Sequence, residues 1–210
     1  MKNLIIIGAR GFGREVFNLA RKSSDYQKKF SIKGFLDDKT DALDRFDNYP
    51  PIIESAESYI PQKNDLFVCA LGNVHDKKYY SKLILEKGGI FFTLVAPKCD
   101  IPDSATIGAG CIISTNSIIS VDTSIGDFVT VSAHTVIGHD VKIGSWSSIG
   151  PMAFLGGFVE VEPEVQVHAK ATILPDLKIG QNSTIGAGSV VINNVRPNKT
   201  VFGNPAKLIN

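Results

Sequence analysis

Residues 136–161 read VIGHDVKIGSWSSIGPMAFLGGFVEV, and every sixth residue is aliphatic: Ile137, Ile143, Ile149, Leu155 and Val161. The same step runs back to Ile101 and on to Val191, and all sixteen positions it visits are Ile, Leu or Val. A period of six fits neither the alternation of an ordinary strand nor the 3.6-residue turn of a helix. It is the repeat of a parallel β-helix, in which each hexad supplies a short strand and a corner. Three hexads close a triangular coil of ~18 residues, with the aliphatics stacked inside the prism. Four residues after each aliphatic comes a small or β-branched residue, as at Cys111, Ser117, Thr135 and Ala153. Glycine often follows the aliphatic directly, as at Gly126, Gly138, Gly144, Gly156 and Gly186. These glycines are expected to relieve steric limits at the turns. Residues 101–191 then make about five coils, a prism ~25 Å long at one strand spacing per coil. The step never slips, so no long loop interrupts it.

Residues 1–98 follow another grammar. The strand-like LIII at 4–7 runs into a glycine loop, Gly8-Ala9-Arg10-Gly11-Phe12-Gly13, and then a helix-like REVFNLARKS. SIKGFLDD ends a second strand on Asp37 and Asp38, and NDLFVCALGN ends a third on Gly72 and Asn73. The helical DKKYYSKLILEKG and a strand IFFTLV complete the half. Alternating strands and helices predict a parallel sheet with helices on its faces. The chain is therefore read as an α/β Rossmann-like domain over 1–98 and a β-helix with a C-terminal tail over 99–210. Pro97 and Pro102 bracket the change.

Composition excludes several classes. A net charge of +1 and a pI near 7.7 give no electrostatic reason to expect a nucleic-acid partner or an anionic membrane. No apolar run approaches the ~18 residues of a membrane span, and the apolar start reads as a buried strand, so the chain is expected in the cytoplasm. The three cysteines, Cys69, Cys99 and Cys111, lack CxxC spacing and read as reduced, apolar residues. No residue set suggests a metal.

His139 and Asp140 interrupt an otherwise structural pattern with a base and a carboxylate. Histidine titrates near neutrality and suits proton removal from an attacking amine or hydroxyl. A carboxylate beside it fixes the tautomer and stabilises the imidazolium. Gly157 lies eighteen residues on, one coil further, and is expected to leave room beside His139 for a thioester. The glycine loop follows a strand and opens a helix, a context in which backbone N–H groups hold phosphate. Its GxxGxG order is not the dinucleotide GxGxxG, which disfavours NAD. His134, His168 and His75 read as surface or loop residues. Trp146 and Phe154 are expected at an interface or against a ligand.

The combination of GxxGxG, hexapeptide repeats, a His-Asp pair and a terminal GNPAK resembles the bacterial sugar acyltransferases grouped with the sialic acid O-acetyltransferase family. It also resembles the N-acetyltransferases of UDP-linked 4-amino sugars used in bacillosamine and perosamine biosynthesis. The resemblance implies a left-handed parallel β-helix, a homotrimer with active sites between subunits, and acetyl-CoA as donor. It casts His139 as general base with Asp140 as its partner. It places Gly156, Gly157, Ala169, Gly186 and Ala187 along the pantetheine, with Lys170, Lys199 and Lys207 as candidates for phosphate contacts. Relatives often carry a second histidine nine residues after the first; here Ser148 stands there, a hydrogen-bond donor without charge. Gly8, Ala9, Arg10, Gly11, Asp37, Asp38, Gly72 and Asn73 would hold a nucleotide sugar. The implied reaction is N-acetylation of a nucleotide-linked amino sugar in surface glycan biosynthesis. Sugar O-acetylation, acetylation of serine, and a non-catalytic β-helix binding module remain open at this point.

Overall fold

The computed structural model describes residues 1–209. The chain divides into two compact units, Met1–Ala96 and the remainder from Pro97 onward.

In the first unit the apolar run at the start forms β1 (Lys2–Ile7), whose Leu4 to Ile7 are buried because both faces of the sheet are covered. It is followed by α1 (Gly11–Lys22), β2 (Phe30–Leu36), β3 (Ile52–Glu54), β4 (Asp65–Cys69) and α2 (Val74–Glu86). Helix α1 begins three residues before the helical pattern suggested and lays Val16, Phe17 and Ala20 into the core. The short β3 carries too few residues to show a periodicity, and sequence reading missed it. The expected strand IFFTLV shortens to Leu94–Val95. All four sheet strands are parallel in the order β3-β2-β1-β4. The strand order reverses between β1 and β4, so a crevice opens at their carboxyl ends.

The second unit is a triangular β-solenoid. Residues eighteen apart pair in parallel: Ile107 with Ile125, Ile125 with Ile143, Ile143 with Val161 and Val161 with Ile179 on one face. Two faces hold five strands each. The third continues past the repeat through Thr200–Phe202 and the antiparallel Lys207–Leu208, so the solenoid is slightly longer than the repeat alone implies. The aliphatics from Ile113 to Val191 are buried, as are most residues four positions after them. Where that second inward residue is Ser or Thr, its hydroxyl is paired inside the prism. Thr123 donates to the Gly138 carbonyl at 3.1 Å and Thr135 to the Gly150 carbonyl at 3.0 Å. A buried hydroxyl would otherwise be costly.

The corners correct one expectation. The left-handed backbone falls three residues after the aliphatic, on Asn116, Asp122, Phe128, His134, Asp140, Trp146, Met152, Phe158, Glu164, Lys170, Asp176 and Asn182, with φ between 56° and 64°. The glycines directly after the aliphatics do not supply it. They serve close approach between coils: a Cβ on Gly138 would meet the Gly157 nitrogen at 2.8 Å, and one on Gly150 the Ala169 nitrogen at 2.7 Å. Left-handed backbone costs a residue with a Cβ roughly 1–2 kcal/mol, with Asn and Asp the most tolerant. Coil stacking overrides that preference throughout the solenoid.

Candidate active site

His139 and Asp140 occupy the corner after the strand Val136–Ile137. Consecutive residues on a strand face opposite ways, but Asp140 has φ 59°, and this turn brings its carboxylate round to the neighbouring ring. His139 Nδ1 and Asp140 Oδ2 are 2.8 Å apart, with the two side chains 53% and 40% exposed. A carboxylate that accepts from Nδ1–H leaves the lone pair of a neutral imidazole on Nε2, the atom through which such a ring can take a proton.

One coil further along the same corner, Gly157 has its alpha carbon beneath the ring. A Cβ there would lie 2.6 Å from His139 Cε1 and 2.7 Å from Nε2. The space left by Gly157 is filled by the imidazole itself, which corrects the expectation that it is held open for a thioester. Phe158 follows, with its ring 5.0 Å from the imidazole and nearly perpendicular at 86°. Its φ is 61° and it is 52% exposed. Sequence reading missed Phe158, because an aromatic at a corner position looks like packing. The signal was present: the other left-handed residues along this corner, Asp122, Asp140 and Asp176, are all aspartate.

The remaining solenoid candidates fall into separate places. Gly156 shares the His139 corner, and its missing side chain admits Pro175 of the next coil. Ala169, Gly186 and Ala187 lie across a face at the next corner, with Ala169 and Ala187 one coil apart and the Lys170 turn between them. His134, Met152 and Lys170 stand at the same corner, so the small residues alternate there with long exposed side chains. Ser148 pairs with Thr130 and Gln166 on yet another face, away from His139 within one chain. His134 and His168 are exposed near the Ala169 corner and not beside His139. Trp146 stacks on Phe128 at 5.6 Å with the rings 2° from parallel, and Phe154 is 42% exposed on a strand.

In the first unit, the crevice at the strand ends is a cavity of about 340 Å³ lined by residues including Gly8, Arg10, Phe12, Asp37, Asp38, Gly72, Asp76 and Tyr80. Gly8 has φ 95°, which turns the chain sharply out of β1, and Gly13 lets the helix press on the Gly8 carbonyl. Arg10 is the α1 N-cap residue and offers no side-chain cap, so the first helical N–H groups point at the crevice without one. Two of the expected ligand residues are engaged elsewhere. Asp37 accepts from the Ala9 N–H at 2.8 Å and the Lys39 N–H at 2.9 Å, which fixes the loop and consumes the buried Ala9 donor. Asn73 caps α2 by accepting from the His75 and Asp76 N–H groups. Tyr80, which the sequence did not single out, donates to Asp38 Oδ2 at 3.0 Å. Burial, then the hydrogen bonds to Asp38 and Glu57, raise the Tyr80 hydroxyl pKa, so it stays a donor.

Cys69 is no nucleophile, since burial pushes its thiol up to about 11. Among the described residues no helix is long and apolar enough to cross a membrane.

Known proteins match both halves. Residues 3–83 match the PglD N-terminal domain, and residues 122–157 and 158–193 match the bacterial transferase hexapeptide of six repeats. The acetyltransferase domain of PglB from Neisseria gonorrhoeae FA1090, solved in complex with acetyl coenzyme A, is 26% identical over 99% of each chain with a TM-score of 0.90. PerB from Caulobacter crescentus, solved with CoA and GDP-perosamine, shares the fold at 21% identity, covering 100% of this chain and 98% of that one, with a TM-score of 0.89. Serine acetyltransferase of Mycobacterium tuberculosis is 31% identical over 130 residues, 60% of this chain and 52% of its own length. The chain spans about a fifth of the length of other curated relatives, such as the serine acetyltransferase of Buchnera aphidicola, at 19%. Both halves point one way: a PglD-type N-terminal domain is followed by bacterial transferase hexapeptide repeats, and the whole chain is similar to the acetyltransferase domain of PglB.

Proposed function

We propose that the chain is an acetyl-CoA-dependent N-acetyltransferase of a nucleotide-linked amino sugar, of the UDP-4-amino-sugar type, in surface glycan biosynthesis. The observation that carries this reading is the half-exposed His139 imidazole, held through Nδ1 by Asp140 at 2.8 Å. As the acceptor nitrogen attacks the thioester carbonyl, His139 Nε2 takes its proton. The carbon–sulfur bond then breaks, and the imidazolium returns the proton to the departing CoA sulfur. Asp140 stabilises the imidazolium between these events. The corner with the small residues Ala169, Gly186 and Ala187 is assigned to the pantetheine arm. The acetyl oxygen is polarised by a backbone N–H near Gly157 or by Ser148. Because Ser148 lies on a different face from His139, its use requires a second subunit, which fits a cytoplasmic homotrimer with shared sites. The crevice of the first unit is assigned to the nucleotide, with Arg10 and the α1 N-terminus toward phosphate and Asp38 toward hydroxyl or N–H donors.

Thiol release from acetyl-CoA, followed with UDP-linked amino sugars, neutral sugars, sialic acid and serine, tests the reading. Release with the amino sugars is expected, and His139→Ala is expected to slow it by ~10²–10⁴-fold. Release only with hydroxyl acceptors would overturn the amine assignment in favour of O-acetylation. Full activity of His139→Ala would remove it as the base. No release and no CoA binding would make the solenoid a binding module.

A further inference from the structure

We infer that Phe158 is a positioning residue that holds the His139 imidazole in its working orientation. The inference rests on the reading of His139 as the base. Three observations meet at this residue. Its backbone lies at φ 61°, in the left-handed region, while the other left-handed residues of the same corner, Asp122, Asp140 and Asp176, are of a type that tolerates it. Its ring gains little burial in return, being 52% exposed. The ring contact it does make is with the base, perpendicular to the imidazole at 5.0 Å. Coil stacking imposes the left-handed backbone on whatever residue stands at this corner, but it does not call for a half-exposed aromatic ring where the coils on either side carry aspartate. The ring makes sense if its contact with the imidazole is what is kept.

The imidazole needs such a wall. Its tether to Asp140 is one hydrogen bond between half-exposed groups on adjacent residues, and exposed ion pairs fix geometry weakly. Gly157 supplies the floor, since a Cβ there would meet Cε1 and Nε2 at 2.6 and 2.7 Å. That contact excludes the ring from one side only. Perpendicular aromatic packing by Phe158 closes a second side. Asp140, Gly157 and Phe158 each restrain the ring from a different atom or face.

The decisive variant is Phe158→Asn, which removes the ring and eases the backbone. Its expected signature is a kcat lower by ~10–10²-fold, with KM for donor and acceptor changed less than twofold and a Tm equal to or above that of the native chain. Phe158→Tyr, which keeps the ring, is expected to recover most of that loss. Native kcat in Phe158→Asn overturns the inference. So does a loss confined to KM of the acceptor, which would make the ring a substrate contact. If Phe158→Asn fails to fold, magnetisation transfer between the His139 ring protons and the Phe158 ring in the native chain decides, and its absence overturns the inference. An inactive His139→Ala beside a fully active Phe158→Asn would sink only this inference. An active His139→Ala would sink the base assignment itself.

Discussion

The imidazole of His139 occupies the volume that a side chain at Gly157 would need, with Cε1 2.6 Å and Nε2 2.7 Å from where a Cβ would sit. Gly157→Ala must therefore move something. What it meets is the far end of a side chain, and the backbone at Gly157 is not left-handed. The fold is expected to survive while the imidazole is displaced, and kcat should fall by ~10–10²-fold with a Tm change of a few degrees at most. Gly138→Ala offers the contrast. Its Cβ would strike backbone atoms of the next coil, the Gly157 nitrogen at 2.8 Å and the Leu155 carbonyl oxygen at 2.9 Å. Coils cannot spread locally, so this variant should lose ~1–3 kcal/mol in a denaturant titration. Equal destabilisation by the two would contradict the distinction.

Asp140→Asn tests the electrostatic half of the pair. Asparagine tolerates the left-handed backbone at φ 59°, and its carbonyl can still accept from Nδ1–H. The orientation of the ring is then kept while the charge that stabilises the imidazolium is lost. Because both side chains are about half exposed, water screens part of that charge, so a drop in kcat on the order of 10-fold is expected rather than abolition. A melting curve like that of the native chain should accompany it. Unchanged kcat would show that Asp140 only orients.

How much of this could be read beforehand divides along a physical line. The six-residue step placed the inward ladder because burial depends on side-chain type, which sequence displays directly: Ile137, Leu155 and Ile173 stack as expected. It misassigned the glycines because the constraint on Gly138 or Gly150 is the backbone of the next coil, a neighbour eighteen residues away. Left-handed corners stayed hidden for the same reason: Phe128, Trp146, Glu164 and Lys170 adopt them under coil stacking against their own preference. In the first unit the loop, the strand ends and their acidic residues were legible as the lining of one crevice. That Asp37 and Asn73 spend their oxygens on backbone N–H groups was not, since it depends on where Ala9 and α2 arrive in space.

The two aspartates at the end of β2 should separate cleanly. Asp37 accepts from the Ala9 and Lys39 N–H groups, so Asp37→Ala leaves the buried Ala9 donor without a partner. A loss of ~1–3 kcal/mol is expected, along with faster hydrogen exchange of the glycine loop. Asp38 is exposed and meets Tyr80. Asp38→Ala should leave the Tm within a degree or two and weaken nucleotide-sugar binding, read as a smaller ligand-induced rise in Tm. A large Tm loss in Asp38→Ala with none in Asp37→Ala would reverse the assignment.

Acid should reach the first unit through Asp65. The residue is buried, and burial alone would raise its pKa. The Tyr59 hydroxyl at 2.7 Å, the Gln62 N–H at 2.9 Å and the Asn3 amide, together with the charge of Lys33, outweigh burial and hold the carboxyl below its ordinary range. A depressed folded pKa means the folded state binds its proton less readily than the unfolded chain. The stability it contributes is therefore complete above the ordinary aspartate value of ~3.9 and is lost as pH falls through the lower folded value. Asp65→Asn removes the ionised partner of Lys33 and Tyr59 and should cost ~1–3 kcal/mol at pH 7. The gap in Tm between it and the native chain should stay constant from pH 7 to about 5 and narrow only below about 4. A gap that already shrinks between pH 7 and 5 would point to another titrating group, and no gap at pH 7 would mean that the buried carboxylate adds nothing to the fold.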